Sequence, residues 1–215
     1  MERLIQGVLR FQSREVEKHL PLFKQLAEQG QQPHTLFITC SDSRVVAELI
    51  TSSRPGEIFV VKNVGNIVPP PENSAGPNST AAAIEFAINN LKVPHIVVCG
   101  HTCCGAMQAL LQENVDGSTM PHLKEWLDLV SPVRATTQEV SSRNPDAPRE
   151  TIASEQNVLF GLETLKKYTC VKEAVARGSL LLHGWLFDIA KAEVSAHDPQ
   201  DGRFKPIQTL PKSLI

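Results

Sequence analysis

Two short stretches constrain this chain more than any other part of it. Thr35-Leu36-Phe37-Ile38-Thr39 is an apolar, β-branched run behind Pro33 and reads as a buried strand. It runs straight into Cys40-Ser41-Asp42-Ser43-Arg44, which sets a thiol, a carboxylate and a guanidinium within five residues. His95-Ile96-Val97-Val98-Cys99 has the same strand character and runs into Gly100-His101-Thr102-Cys103-Cys104-Gly105. Two strands that both end in soft metal ligands point to one site shared between their tips.

The remaining pattern supplies a scaffold for such a site. Leu4, Ile5, Val8, Leu9 and then Leu20, Leu22, Phe23, Leu26 and Ala27 recur at roughly helical spacing. Residues 1–30 therefore read as a helical arm split at Pro21 and stopped at Gly30. A short helix is expected over 44–51, a second strand over 57–62, and a Gly-, Pro- and Asn-rich loop from Asn63 to Ser79. Asn78-Ser79-Thr80 caps a helix over 81–91. After the strand at 95–99, helices are expected from about 104, over 120–142, over 150–167 and over 171–176. Leu180–Phe187 reads as a fourth strand and Glu193–Ala196 as a short last one. Strands alternating with helices imply βαβ units. The expected fold is α/β: a mostly parallel central sheet of four strands plus a short antiparallel edge strand, flanked by helices, with an N-terminal helical arm. At 215 residues one domain, 1–215, accounts for the whole chain.

Composition narrows the function. Lys and Arg number 21 against 23 Asp and Glu, with no basic run, so no nucleic-acid partner is expected. No window approaches the roughly 18 apolar residues of a membrane span. The first twenty residues carry charge throughout and lack a signal-peptide core. Five cysteines, an odd number, argue for thiols in a reducing compartment, and the cytoplasm is the expected location.

The site then follows from chemistry. His101 and Cys104, three apart, are expected on one face of a first helical turn, with Cys103 pointing away. Cys40, His101 and Cys104 make two thiolates and one imidazole, a catalytic zinc set that keeps one position for water or substrate. Two thiolates cancel the charge of the ion, so it acidifies water less than a site of neutral imidazoles does. Asp42 can accept a hydrogen bond from that water, and a bidentate Arg44 can keep Asp42 ionised. If that pair broke, Asp42 could swing onto the metal and close the site. The other cysteines (Cys99, Cys103 and Cys170) read as packed thiols, His183 as a satisfied core histidine, and Trp126 as helix packing. His34, His95, His122 and His197 read as loop or surface residues.

With Cys-x-Asp-x-Arg at Cys40, Asp42 and Arg44, and His-x-x-Cys at His101 and Cys104, the chain resembles the β-class carbonic anhydrases. The resemblance extends to Gly56-Glu57, to Lys62-Asn63-Val64-Gly65-Asn66, to 93–105 and to His183-Gly184-Trp185. It implies one zinc per chain held by Cys40, His101 and Cys104. It further implies reversible hydration of carbon dioxide to bicarbonate and a proton, by attack of a zinc-bound hydroxide oriented by the Asp42–Arg44 pair. Gln31, Phe59, Val64 and Gly105 fall where plant-like members line the substrate pocket, and Phe86 stands where those members carry Tyr. Gly65 stands where Ala is usual. The resemblance also implies a homodimer or a higher multiple, with the N-terminal helices on the partner subunit. Some bacterial members hold bicarbonate in a second pocket of Trp, Arg and Tyr. Those positions are here Phe37, Lys62 and Phe187, so that pocket is expected to be absent and the site open, with Asp42 on Arg44.

Three alternatives remain at the level of sequence. A hydrolase of a carbon dioxide analogue such as carbon disulfide would use the same ligands. A catalytically idle scaffold or binding member would have no need of Asp42 and Arg44. Thiol chemistry of the phosphatase kind needs an Arg six residues after the cysteine, and Ala47-Glu48 follows instead.

Overall fold

The computed structural model describes residues 1–73, 76–113 and 115–209. The chain starts with helix α1 (Glu2–Arg10), a π-helical turn (Phe11–Glu15) and α2 (Val16–Gln29). It continues through β1 (Thr35–Cys40), α3 (Ala47–Thr51), β2 (Ile58–Asn63), a 3-10 turn (Val64–Asn66), α4 (Ser79–Asn89) and β3 (His95–His101). Next come α5 (Gly105–Gln112), α6 (Pro121–Asp128), α7 (Pro132–Arg143), α8 (Arg149–Leu165) and α9 (Thr169–Ala176). The strands β4 (Leu181–Asp188), β5 (Glu193–Asp198) and β6 (Arg203–Pro206) complete a sheet ordered β2-β1-β3-β4-β5-β6.

The first four strands in that order run parallel, and β5 and β6 are antiparallel. The α/β class, the four-stranded parallel centre, the antiparallel edge and the helical arm are as expected. The sheet gains one further strand, β6, that the pattern does not announce. Arg203, Lys205 and Pro206 supply most of it; charge and proline are how an edge strand is kept from pairing further, and they hide its strand character. The break expected at Pro21 is also displaced. Pro21 lies inside α2, and the irregular turn comes before it, at Phe11–Glu15. Proline is tolerated there because Glu17, whose carbonyl loses its helical donor, is exposed to water. The long helix expected over 120–142 is two, α6 and α7, separated at 129–131. Of the loop expected over 63–79, positions 74 and 75 lie outside the described residues.

Alternation along β1 and β3 divides the core. Leu36, Ile38, Ile96 and Val98 face α4, α8 and α9, meeting Ile84, Ala87, Val158, Leu165 and Val171. Phe37, Val97 and Cys99 face the other way, with Val45, Ala47 and Phe187. A third cluster closes the carboxyl tips of β1 and β3: Ile67, Met107, Leu110, Leu127, Val130, Val133 and Ala153 surround Cys40 and Cys104. Order passes from β1 to β2 on one side and from β1 to β3 on the other, so the crevice beyond those tips is the topological switch point of the sheet.

Close approach of α8 to the sheet fixes β3 at its end. A Cβ built on Gly100 would lie 2.9 Å from Val158 Cγ2 and 3.3 Å from the Ser154 carbonyl oxygen. Only glycine lets the strand that carries His101 sit this tightly under the helix.

Candidate metal centre

Cys40 ends β1, His101 ends β3, and Cys104 is the residue before α5. Register pairs Thr39 with Cys99, so the two strands finish nearly level and their last side chains share one space. All three ligand residues are buried, His101 completely, and their ligand atoms lie within 4.8 Å of one another. His101 and Cys104 meet across a tight turn and not on a helical face. Cys103 takes a left-handed φ of 55°, and the Thr102 N–H donates to the Phe187 carbonyl at 3.0 Å. That turn swings Cys104 back to the strand tips and leaves the Cys103 side chain exposed, which corrects the reading of Cys103 as a packed thiol.

The orphaned atom in this cluster fits a metal. His101 Nδ1 lies 2.9 Å from the Thr102 carbonyl. A carbonyl only accepts, so Nδ1 carries the hydrogen and Nε2 presents its lone pair. Nε2 is buried and has no hydrogen-bond partner among the described residues. A bare imidazole lone pair buried beside two sulfurs is costly unless a cation receives it. Two thiolates and one imidazole match zinc, with one tetrahedral position left over.

Charge on the two thiols is unequal without an ion. The Cys104 thiol hydrogen-bonds Cys40 and lowers it against the cost of burial, helped by the N–H groups of Asp42 and Gly65. The same pairing, with burial, pushes Cys104 up. A divalent ion between them would draw both into the thiolate form. Cys99, fully buried on the strand, is pushed up to about 12 by that burial and is an inert packed thiol.

Asp42 turns toward Arg44. Its Oδ1 accepts from the Arg44 backbone N–H and from Nε, both at 2.9 Å, and its Oδ2 accepts from Nη2 at 2.7 Å. The guanidinium holds the carboxyl well below the usual carboxylate range. Nη2 also donates to the Cys103 carbonyl at 3.1 Å, which ties the pair to the other half of the site. Asp42 Oδ2 stands 4.0 Å from His101 Nε2, beside the ligand cluster.

Around this centre, Val64 is 43% exposed next to Gly65, whose N–H donates to Cys40 Sγ at 3.4 Å. Gly105 follows Cys104, and a Cβ there would meet no atom of the described residues within 4 Å, so open space adjoins Cys104. Phe59 and Phe86 form a tilted pair with centroids 5.9 Å apart. Gln31 is exposed and precedes β1, while Cys40 ends it. A six-residue strand separates the two by about 17 Å, so within one chain Gln31 and the metal site are not brought together.

Several side chains organise the site through contacts that no motif announced. Lys62 Nζ donates to the carbonyls of Val45 at 2.7 Å and Asp42 at 3.2 Å, clamping the loop that bears Asp42 and Arg44. Asn63 exchanges hydrogen bonds with the backbone of Ile67. Trp126 packs as expected but also reaches the Val64 carbonyl, and Asn157, within α8, reaches the carbonyl of Gly65. His95, read as a surface residue, is half-buried against His183, with His95 Nδ1 3.2 Å from His183 Nε2. A buried Asn inside an apolar helix pattern is the one cue that could have flagged Asn157.

The sequence matches the carbonic anhydrase family over residues 35–194. It is 39% identical over 198 residues to the carbonic anhydrase of Synechocystis sp., covering 92% of this chain and 71% of that protein. Its identity to the carbonic anhydrase of Pseudomonas aeruginosa is also 39%, over 213 residues, covering 99% and 94%. Among solved structures, the β-carbonic anhydrase CcaA superposes with a TM-score of 0.89 at 38% identity, covering 96% of this chain and 98% of that one. A tetrameric β-carbonic anhydrase from Sordaria macrospora superposes at 0.78 and 32% identity, covering 91% and 95%.

Proposed function

This chain belongs to the β-carbonic anhydrase family, and from that premise we propose how its own residues carry out the family's reaction. The enzyme hydrates carbon dioxide reversibly: carbon dioxide and water give bicarbonate and a proton. The observation that carries the reading is the convergence of Cys40, His101 and Cys104 to within 4.8 Å beside the Asp42–Arg44 pair. Bound zinc supplies a Lewis acid that makes water nucleophilic near neutral pH.

In this reading Cys40, His101 and Cys104 hold the ion, and the chain does the rest by orientation. Asp42, kept ionised by Arg44, accepts a hydrogen bond from the attacking water and aims its lone pair at the substrate carbon. Because Arg44 engages both carboxylate oxygens, Asp42 stays off the ligand cluster and the site stays open. Val64 and the space beside Gly105 receive carbon dioxide, an uncharged molecule that apolar walls admit. Bicarbonate, once formed, is charged and favours return to water.

Phe59, Phe86 and Gln31 belong in this reading to a pocket completed by a second copy. Leu4, Ile5, Val8 and Leu9 on α1 are each at least half exposed, and α1 and α2 bury no residue within the chain. An apolar helical arm with no home in its own subunit is suited to lie on a partner. That would carry Gln31, at the root of the arm, toward a neighbouring site. The chain works as a single domain in a homodimer or a multiple of one. Five free cysteines fit a reducing compartment, the cytoplasm; among the described residues no helix is long and apolar enough to cross a membrane. A plant-like, non-allosteric subtype fits the alternative pocket: Phe37 stacks edge-on against Trp185, and Lys62 is spent on two backbone carbonyls.

Metal analysis with stopped-flow carbon dioxide hydration tests the assignment on wild type and Cys40→Ser. One zinc per chain with fast turnover, both lost in the variant, is the expected pattern. Zinc retained without turnover in the wild type would instead favour a binding role.

A further inference from the structure

We propose that Trp126 and Asn157 are positioning residues of the metal centre, acting through the Val64–Gly65 backbone to hold an N–H on the Cys40 sulfur. The inference rests on Cys40 being a zinc ligand. A trans peptide is planar, with its carbonyl oxygen and its N–H on opposite sides. Gripping the oxygen therefore aims the hydrogen. In the peptide between Val64 and Gly65, the indole Nε1–H of Trp126 donates to the Val64 oxygen at 2.7 Å. The opposite end of that plane is the Gly65 N–H, which donates to Cys40 Sγ at 3.4 Å.

The next peptide is gripped as well. Asn157 Nδ2 donates to the Gly65 carbonyl at 2.8 Å from a side chain that is 2% exposed. Gly65 sits at φ 77°, ψ 18°, a left-handed conformation that turns its N–H toward the sulfur. A Cβ there would come within 3.0 Å of the Ala106 Cβ and 3.3 Å of Met107 Cε. Left-handed backbone next to a 43%-exposed Val64 would otherwise be free to relax. Two side chains from α6 and α8 hold it on both sides.

Holding the N–H has a chemical consequence. A donor placed on the Val64 oxygen polarises the amide and strengthens its N–H as a donor. An N–H on a thiolate draws off part of the sulfur's charge, so the ligand gives less electron density to an ion it holds. With two thiolates in the set, that is the chain's means of restoring some of the ion's acidity.

The test uses Trp126→Phe, which keeps an aromatic ring and deletes the donor, and Asn157→Leu, which keeps the branched shape and deletes the donor. Each is loaded with cobalt(II), and the near-ultraviolet thiolate-to-cobalt absorption is recorded beside zinc affinity from chelator competition. A sulfur relieved of its hydrogen bond donates more readily, so the band should shift to longer wavelength in both variants. Zinc affinity or turnover should change by about 10- to 100-fold. A purely structural role would lower the melting temperature and leave the band where it is. If Asn157→Leu does not fold, Trp126→Phe decides alone, its position being half-buried. Bands and affinities that superpose on wild type would overturn the proposal. Absence of any thiolate-to-cobalt band in the wild type would mean instead that the ligand assignment itself is wrong.

Discussion

Asp42 shows how little a single residue needs in order to be placed. Two residues past Cys40 and two before Arg44, it closes a bidentate pair with distances of 2.7 and 2.9 Å, to which the Cys103 carbonyl and Lys62 add outer contacts. Asp42→Asn would replace the carboxylate by a neutral amide of the same shape, a weaker acceptor for the water hydrogen and no longer an ionic partner for Arg44. The variant should retain its zinc, measured by elemental analysis, and lose about 10²-fold or more in kcat. Full activity in that variant would remove Asp42 from the mechanism. The local pentapeptide was legible in the sequence because its contacts are local. Lys62 was not, since a lysine at the end of a strand looks like any solvated cation until its two carbonyl acceptors are in place.

At the scale of elements, β1 and β3 deliver the ligands and α1 is left without a surface of its own to cover. Replacing Val8 and Leu9 by Asp would put charge on the apolar face of α1, where both are exposed in the single chain. The expected outcome in sedimentation is a shift from dimers or larger species to monomer, with far-ultraviolet circular dichroism unchanged. An unaltered assembly would mean the arm lies elsewhere. Strand and helix periodicity made these elements readable, β6 excepted. The turn at Thr102-Cys103 was the harder feature: the sequence spacing of His101 and Cys104 fits a helical turn and a left-handed turn equally well, and the Phe187 carbonyl that receives the Thr102 N–H belongs to β4, far along the chain.

For the whole molecule, the amino ends of the parallel strands hold a second polar feature, away from the metal centre. His95 and His183 sit in a cavity of about 340 Å³ that His34, Glu57 and Trp185 also line. Burial, and then the neighbouring His95, push His183 below the usual imidazole value. An unfolded histidine takes up its proton near pH 6.5, so below that pH the unfolded chain binds more protons than the folded one. Stability is therefore complete above about pH 6.5 and falls as pH drops toward the lower folded value. The melting temperature should decline from pH 7 to pH 5, and less steeply in His183→Gln; equal slopes would assign the loss to another group. The parallel α/β scaffold, the two strand ends and the three candidate ligand residues were legible without coordinates, because apolar periodicity and short motifs are local properties of a chain. Tertiary structure alone decided what holds those ligands in position. The bonds from Trp126 to Val64 and from Asn157 to Gly65 span 62 and 92 residues, and a side chain reaching a distant backbone carbonyl leaves no period and no motif to read.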